Sequence, residues 1–315
     1  MLGFRILQSS VYHLSLAGTE VWSKTDIGNT YDIAVDASGN VYVAYYNAVG
    51  TKNVRKLDSN GNEVWSKTDV GNTTCIDVDS SGNVYVGYSK GVGFINVRKL
   101  DSNGDEVWNK TDVGYPYGIA VDAGGYVYLA HLGAVGIKTV RKLDSSGTEV
   151  WYKDDIAQAR SIAVDSSGNV YVAHDNATGK TVRKLNSSGT EVWYKDDIGH
   201  AIDIAVDSSG NVYVAYLNDT GKNIRKLDSS GNEVWYKDDI GNAFTIAVDG
   251  FGNVYVGHYY VAGIKNLRKL NSSGNEVWSL SDVGKPNSIA LDGVGNVYVS
   301  YNNTAGIKNV RKLIG

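Results

Sequence analysis

Five histidines, seven acidic turns and seven basic dipeptides are the parts of this 315-residue chain equipped for chemistry. His131, His174 and His258 share one position of a repeat, and three imidazoles converging on a point would suit zinc. The four sister positions carry Tyr45, Tyr88, Tyr216 and Tyr301. Equivalent atoms on separate repeats stand well beyond the ~2 Å reach of a metal–nitrogen bond. The position therefore reads as amphipathic packing. Residues 58–63, Asp-Ser-Asn-Gly-Asn-Glu, have the oxygen content of a calcium loop, but the glycine is fourth rather than sixth. Turn formation explains them, and it also explains Asp36, Asp79, Asp122, Asp165, Asp207, Asp249 and Asp292. Lys-Asp-Asp recurs at 153–155, 195–197 and 237–239. A catalytic acid pair is normally unique, so three copies point to architecture. No serine lies in a Gly-x-Ser-x-Gly elbow. These residues assign no catalytic group, no metal and no cofactor.

The basic pairs run from Arg55-Lys56 to Arg311-Lys312, and acids recur as regularly beside them. With 30 Lys and Arg against 34 Asp and Glu, the net charge of -4 argues against a nucleic-acid partner. A ladder of salt bridges and hydrogen bonds between repeats is the expected use of these charges. Cys75 is the one cysteine, which excludes an internal disulfide framework and a cysteine-based zinc site. No apolar run approaches the roughly 18 residues of a membrane helix, so no membrane insertion is expected. The opening MLGFRILQSS lacks the apolar stretch of a signal peptide. Seven Asn-x-Ser/Thr sequons, at Asn72, Asn109, Asn176, Asn186, Asn218, Asn271 and Asn302, are compatible with an extracellular location. Location and oligomeric state stay open at this level.

The elements that must carry these residues follow from the tryptophans. Trp22, Trp65, Trp108, Trp151, Trp193, Trp235 and Trp278 stand 42 or 43 residues apart, each after Glu-Val. A period of this length with four strands is the size of a propeller blade. In residues 203–237, DIAVD, NVYVAY, NIRKL and EVWYK alternate apolar and polar residues, with Gly-containing turns DSSGN and DSSGNE between them. Val212 and Val214 face one way, Tyr213 and Ala215 the other. A sheet apolar on both faces must be sandwiched between copies of itself. The expectation is an all-β, seven-bladed propeller of four-stranded antiparallel blades, forming one domain over 1–315. The first Trp precedes any inner strand and the last repeat lacks an outer one. Residues 20–24 should therefore complete the seventh blade and close the ring. Residues 11–14 and 310–313 both match its third strand. Continuity with the preceding strands favours 310–313 and makes 1–16 an extra segment.

SIAVDSSGNVYVA (161–173) resembles the NHL repeat, and KLDSNGNEVW (56–65) resembles the PQQ-like repeats of quinoprotein propellers. The resemblance covers nearly the whole chain and implies the propeller fold. It leaves activity open, because these families include enzymes, binding modules and scaffolds. Quinoprotein dehydrogenases add an adjacent cysteine pair, which this chain lacks, so quinone binding is not carried over.

Among near-identical strands, the differences mark the candidate site. They fall in the loops between second and third strands and in the connections entering each inner strand. The latter carry Tyr31, Thr74, Tyr117, Arg160, Ile202, Phe244 and Asn287, with Tyr115 and His200 nearby. Strand order puts both sets at one end of the ring. A mouth lined by aromatics and a few polar groups would bind a protein, peptide or glycan. The expected function is a non-enzymatic binding module or scaffold. A carbohydrate-active lyase or hydrolase at the channel mouth is the alternative.

Overall fold

The computed structural model describes residues 17–46, 53–89, 95–111, 113–133, 136–174, 180–217, 223–259, 266–281, 284–301 and 309–315. Most of the variable loops between second and third strands, and residues 1–16, lie outside this set. Among the described residues there are 28 strands and no helix. They form seven four-stranded antiparallel sheets. The first blade is β2 (Asn29–Val35), β3 (Val41–Tyr46), β4 (Val54–Leu57) and β5 (Glu63–Lys67). The same order is repeated around the ring.

The ring closes as the tryptophan count requires. The seventh blade is β26 (Pro286–Leu291), β27 (Val297–Tyr301) and β28 (Val310–Leu313), completed by β1 (Glu20–Lys24). Trp22 lies opposite Lys312 and Lys24 opposite Val310. Residues 310–313 are thus the third strand, and pairing with β1 removes the sheet edge that β28 would otherwise expose.

Packing explains the apolar residues on both faces. Tyr42, Ala44 and Val54 of the first blade meet Ile76, Val84, Val86 and Tyr88 of the second in one buried cluster. The tryptophan period has its own cause. The indole N–H of Trp22 donates to the Ser59 carbonyl in the next blade's turn at 3.0 Å, and Trp65 does the same to Ser102 at 3.1 Å. Gly61, at φ 84°, lies where a Cβ would stand 2.9 Å from the Trp22 ring. A side chain there is excluded by both backbone and space. Lys56 and Lys312 reach the same turn carbonyls, Ser102 and Ser59.

The lysines of the Arg-Lys pairs make the expected ladder between blades, whereas the arginines pair within or at the entry of their own blades. The buried Arg55 pairs with Asp26 at 2.6 Å, in the connection entering its blade, and with Glu63 of its own outer strand at 3.2 Å. Arg183 pairs likewise with Asp155 at 2.7 Å and Glu191 at 3.1 Å. The second Asp of Lys-Asp-Asp is therefore an arginine partner. The buried arginines are thus paired within or at the entry of their own blades, while the tryptophan and lysine bonds to Ser59 and Ser102 and the Lys67–Asp105 pair at 3.9 Å cross between blades. The turn aspartates are also committed. Asp36 accepts from the backbone N–H of Ser38 and Asn40, from the Asn40 amide and from the Tyr42 hydroxyl.

Candidate functional site

Seven inner strands surround the axis: β2, β6 (Asn72–Val78), β10 (Tyr115–Val121), β14 (Ala159–Val164), β18 (His200–Val206), β22 (Asn242–Val248) and β26. Each pairs with the second strand of its blade, so that Thr30 lies opposite Tyr45 and Val35 opposite Val41. This register puts the variable entry residues beside the loops between second and third strands, at one end. The Asp-led turns lie at the other. Between the inner strands runs a channel of about 800 Å³.

Eight of the nine sequence-derived positions line this cavity: Tyr31, Thr74, Tyr115, Tyr117, Arg160, Ile202, Phe244 and Asn287. His200 does not. It is the first residue of β18, opposite Leu217, and is exposed at the strand end rather than turned to the axis. The lining is unevenly distributed. The rings of Tyr115 and Tyr117 lie 5.3 Å apart at 44°. Burial, then the neighbouring hydroxyls of Tyr117 and Tyr31, pushes the Tyr115 pKa up. Thr74 donates to the Pro116 carbonyl at 2.7 Å, tying the second blade to the third. Further round the ring, the Lys285 ammonium sits 4.7 Å from the centroid of Phe244, a cation–π contact. The Asn287 amide donates to the Thr30 carbonyl at 2.6 Å, across the closing seam.

Arg160 follows an irregular connection. Where other connections carry glycine, this one has Ala157, and the positive φ passes to Gln158 at 50°. A non-glycine residue in that region is uncommon. The Gln158 amide is held by the Gly133 carbonyl at 2.9 Å.

Below the mouth the channel holds three aspartates. Asp32 accepts from the amides of Ile33 and, in the next blade, Ile76, both at 2.9 Å, and from the Ser288 hydroxyl of the previous blade at 2.6 Å. Asp203 repeats the pattern with Ile204, Ile246 and Ser161. Asp77 accepts from Val78 and from Val121 of the third blade, both at 2.8 Å. Burial, opposed by these bonds, pushes Asp32 up to about 6 and Asp77 up to about 7, with the Asp203 charge adding to the rise of Asp32 and the Asp32 charge to that of Asp77. Burial also raises Asp203. The three aspartates are thus staples between blades, and Asp32 and Asp77 also titrate near neutrality. Sequence reasoning missed Asp77. Its signal was present, because the other six blades have alanine there: Ala34, Ala120, Ala163, Ala205, Ala247 and Ala290.

The three repeat-related histidines are packing residues. His131, His174 and His258 are buried in separate blades. Burial, followed by the nearby charge of Arg141, drives His131 down to about 3, and burial with Arg268 drives His258 down to about 4. The sister Tyr45 places its ring 5.8 Å from the Arg55 guanidinium, and Tyr88 lies 5.3 Å from that of Arg98. The position therefore covers the buried arginine, and either neutral ring serves.

The ring and its uneven mouth define a seven-bladed propeller with one individualised opening. The family described as outer membrane protein assembly factor BamB, a PQQ-type repeat family, matches residues 93–307, and the chain belongs to it. The PQQ-like resemblance read from KLDSNGNEVW is borne out by this match. No curated protein matches the sequence. Among solved structures, streptogramin B lyase is similar at TM-score 0.71 and 16% identity, covering 93% of this chain and 95% of that one. The β-propeller domain of Cps50 (Swd1) from Myceliophteria thermophila also scores 0.71, at 11% identity, covering 91% and 96%. A protein of unknown function from Bacteroides caccae scores 0.54 at 18% identity, covering 78% and 96%. Identities this low carry the fold alone.

Proposed function

We propose that this chain is a non-enzymatic recognition module that binds a protein, peptide or glycan at the irregular mouth of its channel. The observation that carries the reading is the concentration of difference among near-copies. Strands repeat almost verbatim, yet at one position the seven blades offer six different residue types to one cavity. Aromatic faces there give flat contact area at low entropic cost, and Arg160 and Lys285 add directed charge. Membership of a family described by an assembly factor is in keeping with a protein-binding role. The test is a comparison of Tyr117→Ala with Phe244→Ala against Ser80→Ala with Ser208→Ala in the opposite turns. Both pairs are screened on peptide and glycan arrays. The mouth pair should lose about tenfold or more of any binding, the size of an aromatic anchor's effect. Loss with the turn pair alone would place the site at the wrong end.

The second reading, a lyase or hydrolase acting on sugars, draws on Asp32 and Asp77. Carboxyls held near 6 and 7 can exchange protons at neutral pH. Both are engaged by backbone amides, which favours the staple role. Release of new sugar ends from an oligosaccharide pool, abolished by Asp77→Asn, would establish catalysis instead.

A further inference from the structure

The turn end has one departure from its own rule. In six blades the residue after the turn glycine is asparagine, and its amide donates to the turn aspartate: Asn40 to Asp36, Asn83 to Asp79, Asn169 to Asp165, Asn211 to Asp207, Asn253 to Asp249 and Asn296 to Asp292. In the third blade that residue is Tyr126. Asp122 keeps the backbone bonds from Gly124 and Tyr126 and the hydroxyl of Tyr128 at 2.8 Å. Its second oxygen has one donor fewer than the same oxygen in the six sister turns.

The replacement borders a pocket of about 410 Å³ between the third and fourth blades, walled by Asp122, Tyr126, Lys142, Asp165, Ser167 and Ser187. Tyr126 is 38% exposed there. The Lys142 ammonium lies 4.4 Å from its centroid and donates to the Ser187 carbonyl at 3.2 Å, which fixes the ring's position. Gly124 takes the place of a side chain that would crowd the ring: a Cβ there would sit 3.3 Å from the ring edge.

We propose that this seam is a second binding site, separate from the mouth, for a small polyhydroxylated ligand of the monosaccharide class. The exposed part of the Tyr126 ring offers an apolar platform for the C–H face of a sugar. A ligand hydroxyl donates to Asp122 in place of the missing asparagine amide, and the serines supply further polar partners. The proposal does not depend on the function assigned to the mouth.

The test uses the protein's own internal control. Tyr126→Asn installs the residue of the six sister blades, so the variant should fold as well as the parent. Methyl glucoside, methyl galactoside and N-acetylglucosamine are titrated at millimolar concentration, following the backbone NMR resonances of Gly124, Gly125 and Gly168. At least one sugar should give saturable shifts at these amides. The shifts should be lost in Tyr126→Asn, retained in Tyr126→Trp, and unaffected by Tyr117→Ala at the mouth. No saturable shift with any of the three sugars, or equal shifts in Tyr126→Asn, overturns the site.

Discussion

The two ends of the ring use the same strands for opposite purposes. At the turn end nearly every polar group is committed. Asp36 and its six counterparts hold their turns, and the carbonyls of Ser59 and Ser102 receive a tryptophan and a lysine from the neighbouring blade. At the mouth, Tyr31 and Tyr117 are 49% and 43% exposed, and the other blades put Thr74, Arg160, Ile202, Phe244 and Asn287 at the same position. The contrast teaches that the repeat is constrained where blades must be joined and variable where they need not be. Variation is thus a map of what the ring can spare, and the mouth is where a ligand can be accommodated without loosening the fold.

The largest effect should come from breaking the closure. Removing residues 1–24 takes away β1, its pairing with β28 and the Trp22 bond to Ser59. Loss of a strand ladder and a packed indole should cost on the order of 5 kcal/mol, with association through the new edge. Calorimetry and light scattering read both. An unchanged melting temperature and a clean monomer would show that the seam is dispensable.

Protonation of the channel aspartates is the next largest lever. Asp32 and Asp77 hold their protons up to about 6 and 7, against 3.8 for an ordinary aspartate. Between those values the folded ring binds more protons than the unfolded chain. Stability contributed by these groups is therefore lost as pH rises from about 4 through 7, by roughly 2 kcal/mol after allowance for channel water. Buried His131 and His258, driven down to about 3 and 4, gain stability over part of the same interval, so the test is the difference between the parent and Asp77→Asn. Urea unfolding at pH 5 and pH 8 should show the parent's advantage over Asp77→Asn shrinking as pH rises; an advantage that is constant or grows would mean that Asp77 is ionised throughout.

Much of the fold was legible because its signals repeat. Tryptophan, the Asp-Gly turn and Arg-Lys recur in nearly every blade, so the strand order and the closing strand follow from counting. The mouth was legible for the complementary reason, since Tyr31, Arg160 and Phe244 stand out against constant neighbours. Three features were not read. The orientation of His200 depends on where β18 begins, which spacing alone does not fix to one residue. Asp77 was hidden inside an otherwise regular strand. Tyr126 was hidden because the turn end was treated as uniform. In both of these the signal is a single substitution within a constant segment, and its meaning emerges only when the bond made by the sister residue is known.

A smaller effect separates ordinary seams from the one where the chain ends meet. Trp65 donates to Ser102, whereas the Trp278 indole nitrogen has no hydrogen-bond partner among the described residues. Beside Trp278 the regular turn is replaced by the segment containing Gly18, which lies where a Cβ would be 3.7 Å from its ring, against 2.9 Å for Gly61 and Trp22. Trp65→Phe should therefore cost about 1 kcal/mol more than Trp278→Phe, the worth of one hydrogen bond. Chemical denaturation of the two variants decides it. Equal losses would mean that the indole bond contributes nothing to the seam.

The smallest effect is expected from exposed side chains at the two ends. Phe251 is 88% exposed in the turn of the sixth blade, at the position of Ser38 and Ser81, and its backbone amide alone makes the turn bond to Asp249. Tyr117 is exposed at the mouth, with its ring tilted against that of Tyr115. Neither side chain joins one blade to the next through a hydrogen bond or salt bridge. Phe251→Ser and Tyr117→Ala should each change stability by no more than about 0.5 kcal/mol, as exposed substitutions usually do. Their consequences for binding should differ: Tyr117→Ala should weaken a mouth ligand and Phe251→Ser should leave it unchanged. A stability loss of about 2 kcal/mol for Tyr117→Ala would show the mouth aromatics to be part of the ring's packing. The contrast between a committed end and a spare one would then fail at the residue on which it most depends.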